Sequence, residues 1–340
     1  MKKRATKNIP QIGIDIGTRL IKALELSSKG DAPKIAKLDF CEIGSPPTEQ
    51  KIKDALRSLL EKFKPSAKDV NISLSSPSAI VRFINMPKMK KEDLKKSLKF
   101  EAEKYIPFNI DEVNIDAFIL DDIRLERNQM KVLLAAAKKD VLNSRLEIFK
   151  ELGFSVSVID VDSFACFNAF SYVSENLDDS KSIALLNIGY SQTNVLISQG
   201  RNPYFTRDVQ IGGRDIAKAL SVNLEVPESD ADKFIIEPKD KGEQIFETSK
   251  TVLANLVEEI RLSFGYYENQ YASSINEIYL SGGVARLAGI IGYLEEGLGL
   301  RPAAWDPFSK FETAPEVDKE FASRVKPQFA VSAGLALRGS

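Results

Sequence analysis

The chain of 340 residues contains no histidine. That absence removes every histidine-based catalytic triad, every histidine metal site and the commonest general base. Cysteine is scarce: Cys41 and Cys166 stand far apart, at no metal-ligand spacing. Neither a disulfide framework nor a zinc site is therefore expected, and a reducing compartment fits. No apolar run approaches the ~18 residues of a membrane-crossing helix, and the first residues lack the apolar core of a secretory signal. The chain reads as cytosolic. Net charge is lacking as well, because the 47 basic and 48 acidic side chains nearly cancel, which gives nucleic-acid binding no support. What chemistry remains must use carboxylates, lysines, positioned water or a metal held by a substrate's phosphates. The basic start Met1–Lys7 could touch anionic lipid, although a solvated, frayed terminus is the commoner outcome.

The rest is ordinary globular protein, 43% apolar and 28% charged, and too long for one core, so two lobes or several subdomains are expected. Residues 11–26 alternate around Ile12, Ile14 and Ile16 and again around Leu24 and Leu26, with Gly17-Thr18 between. That is a β-hairpin pattern. An extended run follows at 34–43, and Ile52, Ala55, Leu56, Leu59, Leu60 and Phe63 recur at helical spacing up to Pro65. Val70–Leu74 predicts a short strand, broken at Ser75-Ser76-Pro77. Residues 78–150 read as an inserted module, with strands at 79–85, 115–121 and 130–137 and helices at 91–105 and 140–152. Strand 155–160 and helix 162–175 return to the first lobe. A second hairpin set then repeats the first: strand Ile183–Ile188, turn Gly189–Gln192, and strand Thr193–Ser198. It continues with a strand at 203–209, Gly212-Gly213, and a helix from Arg214. A charged stretch at 225–245 precedes a long helix at 246–272, a strand at 277–281, Gly282-Gly283 and a helix at 286–298. Residues 302–327 look irregular, and 329–337 suit a closing helix. Two like hairpins about 170 residues apart suggest an internal duplication facing one cleft.

Four turns carry the candidate chemistry. In Asp15-Ile16-Gly17-Thr18-Arg19-Leu20-Ile21-Lys22, Gly17 lets backbone N–H groups approach an anion without a Cβ in the way. Thr18 adds a hydroxyl, Lys22 on the returning strand can reach the same phosphate, and Asp15 can hold a hydrated Mg²⁺. A hairpin also favours glycine for geometry alone. Gly189-Tyr190-Ser191-Gln192-Thr193 offers a similar mix of glycine and hydroxyls. Gly212-Gly213-Arg214-Asp215 and Ser281-Gly282-Gly283-Val284-Ala285-Arg286 each sit at a strand-to-helix junction, where helix N-termini attract anions. In this order and spacing, the four point to a shared phosphate cleft.

Taken in order, these turns resemble the actin, heat-shock chaperone and sugar-kinase ATPase superfamily. The resemblance implies an α/β, actin-like (ribonuclease H-like), two-lobed ATPase fold binding ATP or ADP with Mg²⁺. Asp15, Gly17, Thr18 and Lys22 match its phosphate-1 hairpin, Gly189 and Thr193 its phosphate-2 turn, and Ser281-Gly282-Gly283 its adenosine motif. By the same likeness Arg286 could stack on adenine. Glu258 and Arg261 match a ribose-contacting pair, and equally suit a plain surface ion pair. The early insertion resembles FtsA and PilM. The segments Phe100–Phe108, Asp160–Ala165 and Phe329–Arg338 resemble the PilM family of type IV pilus assembly proteins.

That family implies a lobe of 1–78, 154–180 and 326–340, an inserted subdomain of 79–153, a second lobe of 181–220 and 256–325, and a small subdomain of 221–255. It implies a scaffold recruited to the inner face of the inner membrane, binding the N-terminal cytoplasmic peptide of PilN, with PilO and the assembly ATPase PilB nearby and homo-oligomerisation open to it. Phe83, Tyr105, Ile106, Pro107 and Phe108 are the candidate partner-binding residues, and each would equally suit the module's own core. An FtsA-like filament former or slowly hydrolysing ATPase is the alternative. An amphipathic membrane helix of the FtsA kind is not expected after the closing helix. Readily hydrolysing members carry an aspartate where this sequence has Asn187, so slow or absent hydrolysis is expected. Asp160 and Asp162 are further carboxylates that could approach the cleft, and Asp162 equally suits a helix cap.

Overall fold

The computed structural model describes residues 11–27, 33–120, 128–175, 177–228, 231, 233, 235 and 241–338. The basic segment Met1–Lys7 and much of the region around 229–240 lie outside the described residues.

Two sheets are built on one plan. In the first, β1 (Gln11–Ile16), β2 (Leu20–Ser27) and β3 (Lys34–Glu42) form an antiparallel meander, and β4 (Asp69–Leu74) lies parallel to β1. In the second, β9 (Ser182–Ile188), β10 (Thr193–Gln199) and β11 (Asn202–Val209) repeat the meander, with β12 (Ile275–Ser281) parallel to β9. The suggested duplication is thus present in the strand order, β3-β2-β1-β4 against β11-β10-β9-β12. β8 (Ser155–Val161) extends the first sheet beside β4, and β13 (Ala303–Ala304) extends the second. β9 and β10 are buried along nearly their whole length, as strands covered on both faces must be, and their sequences read as continuous apolar runs.

The helices cover these sheets through the stripes that the sequence predicts. Helix α1 (Glu49–Phe63) buries Ile52, Ala55, Leu56, Leu59, Leu60 and Phe63 against the first sheet. It begins at Thr48, whose hydroxyl accepts from Lys51 N–H at 3.3 Å, and ends at Lys64 in the left-handed region. Between the two sheets lie α4 (Asp162–Val173) and the closing helix α9 (Ala330–Ala336), in a core that takes Leu24 and Leu26 from one sheet and Leu185 and Leu196 from the other. The closeness of this packing depends on missing side chains. A Cβ on Gly13 would sit 2.1 Å from the Ser332 carbonyl oxygen, and one on Gly334 would sit 1.6 Å from that of Ala165.

The insertion is a three-stranded antiparallel sheet of β5 (Ala79–Pro87), β7 (Gln129–Lys138) and β6 (Val113–Leu120), in the order β5-β7-β6, covered on one face by α2 (Lys91–Glu103). Helix α3 (Lys139–Glu151), expected to belong to it, instead buries Ile148 and Phe149 in the core beneath α1. Its apolar face matches the first lobe's sheet. The second lobe is covered by α5 (Gly213–Leu224) and the long helix α6 (Gly242–Tyr271).

Two further expectations are corrected. The helix expected from 286 starts later, as α7 (Ile290–Leu298), because Gly289 at φ +84° interrupts the chain after a 3₁₀ turn at Val284–Arg286. Residues 302–327 are not wholly irregular. β14 (Glu312–Thr313) pairs with β3, and α8 (Lys319–Val325), capped by the Asp318 carboxylate, stacks Phe321 on Phe40 at 5.8 Å. This stretch therefore packs with the first lobe, although the family resemblance implied the second. Among the described residues no helix is long and apolar enough to cross a membrane.

Candidate functional site

The two β-turns that the sequence singled out close with the same bond. Gly17 N–H donates to Leu20 C=O at 3.0 Å, and Gly189 N–H donates to Gln192 C=O at 2.9 Å. A Cβ would stand 2.9 Å from the Leu20 oxygen at the first turn and 3.0 Å from the Gln192 oxygen at the second. Both turns open on a cleft of about 400 Å³, within the range of small-molecule sites. From the first turn Asp15, Gly17, Thr18, Arg19 and Lys22 line it, and from the second Gly189, Tyr190 and Ser191. Gly282, Gly283 and Arg286 complete that wall. Gly282 has φ +94°, and a Cβ there would lie 2.3 Å from the Ile188 oxygen, so backbone and crowding both require glycine.

Asp15 and Lys22 face each other across β1 and β2, with carboxylate and ammonium 2.5 Å apart and both nearly buried. The two charges of the pair offset each other at the cleft wall. Arg19 reaches Glu42 at 3.2 Å.

Five expected residues stand elsewhere. Thr193 is fully buried and its hydroxyl donates to Ile211 C=O at 2.8 Å. It ties β10 to the loop before α5 and does not line the cleft. Gly212 and Gly213 dock the start of α5 onto the second turn. Gly213 N–H donates to Gly189 C=O at 3.0 Å, Arg214 N–H to Tyr190 C=O at 2.7 Å, and Gly212 N–H to the Asp215 carboxylate at 3.0 Å. The expected anion attraction of this helix end is spent on the turn itself, because its first amides already have acceptors. Glu258 and Arg261 form a surface ion pair at 2.8 Å, more than half exposed, away from the cleft lining.

The acids divide in a way the sequence left open. Asp160 is held by Arg338 at 3.0 Å, and burial raises its pKa against that pairing. Asp162 lines the cleft as the first residue of α4, and its carboxylate does not cap the helix. Burial, then the neighbouring charges of Asp15 and Asp208, push its pKa up to about 7, opposed by the Lys22 ammonium. Burial also raises Asp208, opposed by bonds from Asn194 and Ser76. Among the described residues no three acids or thiols converge as a metal cage.

Asn187, where an acid was the family expectation, belongs to a polar row across the second sheet. Ser281, Asn187, Asn194 and Asp208 occupy directly paired positions on β12, β9, β10 and β11. Ser281 Oγ donates to Asn187 Oδ1 at 3.3 Å, Asn187 Nδ2 to Asn194 Oδ1 at 3.0 Å, and Asn194 Nδ2 to Asp208 Oδ1 at 2.7 Å. Sequence reading missed Asn194 and Asp208. The positions of the turns predict their register, and with it this row.

The five partner candidates do not share one face. Ile106 is in the insertion's core, and Phe108 packs against that core with Lys138 over its ring at 4.7 Å. Tyr105 and Pro107 are exposed. Phe83 lies on the opposite face of the sheet, in one cross-strand row with Leu133 and the 65% exposed Phe118.

A family model described as "Type IV pilus assembly protein PilM" matches residues 13–340. Among solved structures the chain is similar to a "PilM-PilN type IV pilus biogenesis complex", at 25% identity and a TM-score of 0.87, over 98% of this chain and 99% of that one. It is also similar to the ethanolamine utilization protein EutJ from Carboxydothermus hydrogenoformans, at 13% identity and a TM-score of 0.57, over 99% and 92%. MreB 5 of Spiroplasma citri bound to AMPPNP matches at 12% identity and a TM-score of 0.54, over 97% and 95%. The last two bear on the fold alone, which is actin-like.

Proposed function

This chain belongs to the PilM family of type IV pilus assembly proteins, and from that premise we propose that it is a cytoplasmic, ATP-binding scaffold of the inner-membrane pilus assembly complex. The observation that carries the nucleotide reading is the pair of glycine turns facing each other across one cleft, with Asp15 and Lys22 at its floor. The residues fit the ligand. Lys22, released from Asp15 by a phosphate, supplies a charge-assisted donor. Asp15 and Asp162 suit a hydrated Mg²⁺ whose remaining ligands are water and phosphate oxygens. Gly283, where a Cβ would meet nothing nearer than Gln328 at 4.0 Å, leaves room for an adenosine against the second lobe. When bound, Mg²⁺·ATP would supply charge that joins the two turns.

Nucleotide serves this scaffold as a structural or regulatory ligand. The carboxamide of Asn187 is committed on both sides within its polar row, and an amide neither accepts a proton nor holds a dication as a carboxylate does. Similarity to the PilM–PilN complex supports a PilN-type N-terminal peptide as the partner, docked at the insertion, with PilO and PilB reached through the assembly. The half-exposed row Phe83, Leu133 and Phe118 offers the apolar strip such a peptide requires.

Titration calorimetry with a synthetic PilN N-terminal peptide, with and without Mg²⁺·ATP, tests the reading. Saturable binding that differs between the two conditions is expected, together with thermal stabilisation by Mg²⁺·ATP and little phosphate release. No peptide binding in either condition would sink the pilus scaffold. No nucleotide stabilisation would sink the cleft.

A further inference from the structure

Each end of the polar row in the second sheet touches the other half of the molecule. At one end Ser281 Oγ lies 3.6 Å from the thiol of Cys166 on α4. At the other, the second carboxylate oxygen of Asp208 accepts Ser76 N–H at 3.1 Å, and Ser76 lies three residues before β5, at the root of the insertion. Asn187 and Asn194, the middle members, line the cleft. The donors all run one way, from Ser281 through both carboxamides to Asp208, with Ser76 donating to the same carboxylate from outside. A chain of this polarity is cooperative, and no member can be turned without leaving a neighbour unpaired.

The insertion meets the second lobe again at Lys131, only 2% exposed, whose ammonium sits over the Tyr271 ring at 4.9 Å. Lys131 is on the same face of β7 as Leu133, one row along from Phe83 and Phe118. The seam between insertion and second lobe therefore borders the apolar strip.

We propose that the row Ser281–Asn187–Asn194–Asp208 is a relay carrying the occupancy of the cleft to Ser76, and so sets how firmly the insertion seats on the second lobe. The relay rests on the reading of the cleft as a nucleotide site. It also accounts for Asn187. An ionised aspartate there has no donor for the Asn194 carboxamide oxygen, which faces position 187 while the NH2 of the same carboxamide is engaged by Asp208. An amide transmits where an acid would interrupt.

Hydrogen exchange on the full-length protein, followed by mass spectrometry with and without Mg²⁺·ATP, tests the relay. Asp208→Asn is the variant, because it sits outside the cleft lining and retains one acceptor for Asn194 while presenting an amide donor to Ser76 N–H. In the unmodified protein, nucleotide should slow exchange over 76–79 by about three- to tenfold, the factor for one hydrogen bond held more firmly. In Asp208→Asn that slowing should fall below about twofold, the low end of the same scale, while protection at the 15–19 turn persists. Asp208→Ser is read in the same way if the first variant does not fold. Equal slowing over 76–79 in the variant overturns the relay, as does protection at 15–19 without any at 76–79 in the unmodified protein. Absence of protection at 15–19 overturns the nucleotide reading and the relay with it.

Discussion

Replacing Asp162 by Asn should stabilise this protein at alkaline pH and flatten its pH dependence. The carboxyl stands at the start of α4, ringed by Asp15 and Asp208, with a pKa raised to about 7 by burial first and by those charges second. In the unfolded chain it would titrate near ~3.9. Between those values the folded protein holds a proton that the unfolded chain has released, so unfolding free energy falls as pH rises through the window. The gap between these two pKa values sets a ceiling of about 4 kcal/mol, and solvent reaching the group through the cleft brings the expected effect to ~2 kcal/mol. Asn keeps the size and never ionises. Urea unfolding at several pH values should therefore find Asp162→Asn more stable than the parent by about 2 kcal/mol at pH 8, and within ~0.5 kcal/mol at pH 4. Asp160 and Asp208, also raised by burial, remain in the variant, so its slope should shrink without vanishing. A variant curve parallel to the parent's, or one lying below it at pH 8, would refute the electrostatic account of the cleft.

Gly334→Ala should cost about 3 kcal/mol or more, since the added methyl meets the Ala165 carbonyl across two packed backbones, and an unchanged melting temperature would contradict this packing. Thr193→Val should lose about 1–2 kcal/mol by leaving the Ile211 carbonyl unpaired without altering the ATP dissociation constant. A tenfold loss of affinity in the folded variant would make Thr193 a ligand after all. Lys22→Ala should weaken ATP binding about 10- to 100-fold, the worth of one charge-assisted phosphate contact, whereas Arg261→Ala should leave calorimetric affinity unchanged, because its only described partner is the exposed Glu258.

Local pattern carried much of the fold. The stripe on α1, the alternation in the hairpins and the glycines at the turns each report a constraint acting over a few residues, and Gly17, Gly189 and Gly282 all lie where such reading put them. Motif likeness carried less well to residues whose roles depend on what packs nearby. Thr193 and Gly212-Gly213 share the composition of a phosphate site, yet their polar groups close the turn and the helix end from behind. Tyr105, Ile106, Pro107 and Phe108 are neighbours in sequence, and the chain turns their side chains to different environments. The Asn187–Asn194–Asp208 row was legible in principle. The turns at 189–192 and 200–201 set the register of the strands beside them, and register alone aligns the three.

The sequence by itself determined the paired hairpins, the glycine turns and the kinship to an actin-like pilus protein, because strand period, turn chemistry and motif order are properties of short stretches. Only the tertiary structure decided which polar groups face the cleft. It gave α3 and residues 312–325 to the first lobe, sent Asp160 to Arg338, and left Asp162 beside Asp15. Those outcomes depend on which buried groups find partners when distant segments pack, and a polar atom's need for a partner is satisfied wherever the fold brings one, not where the chain order suggests.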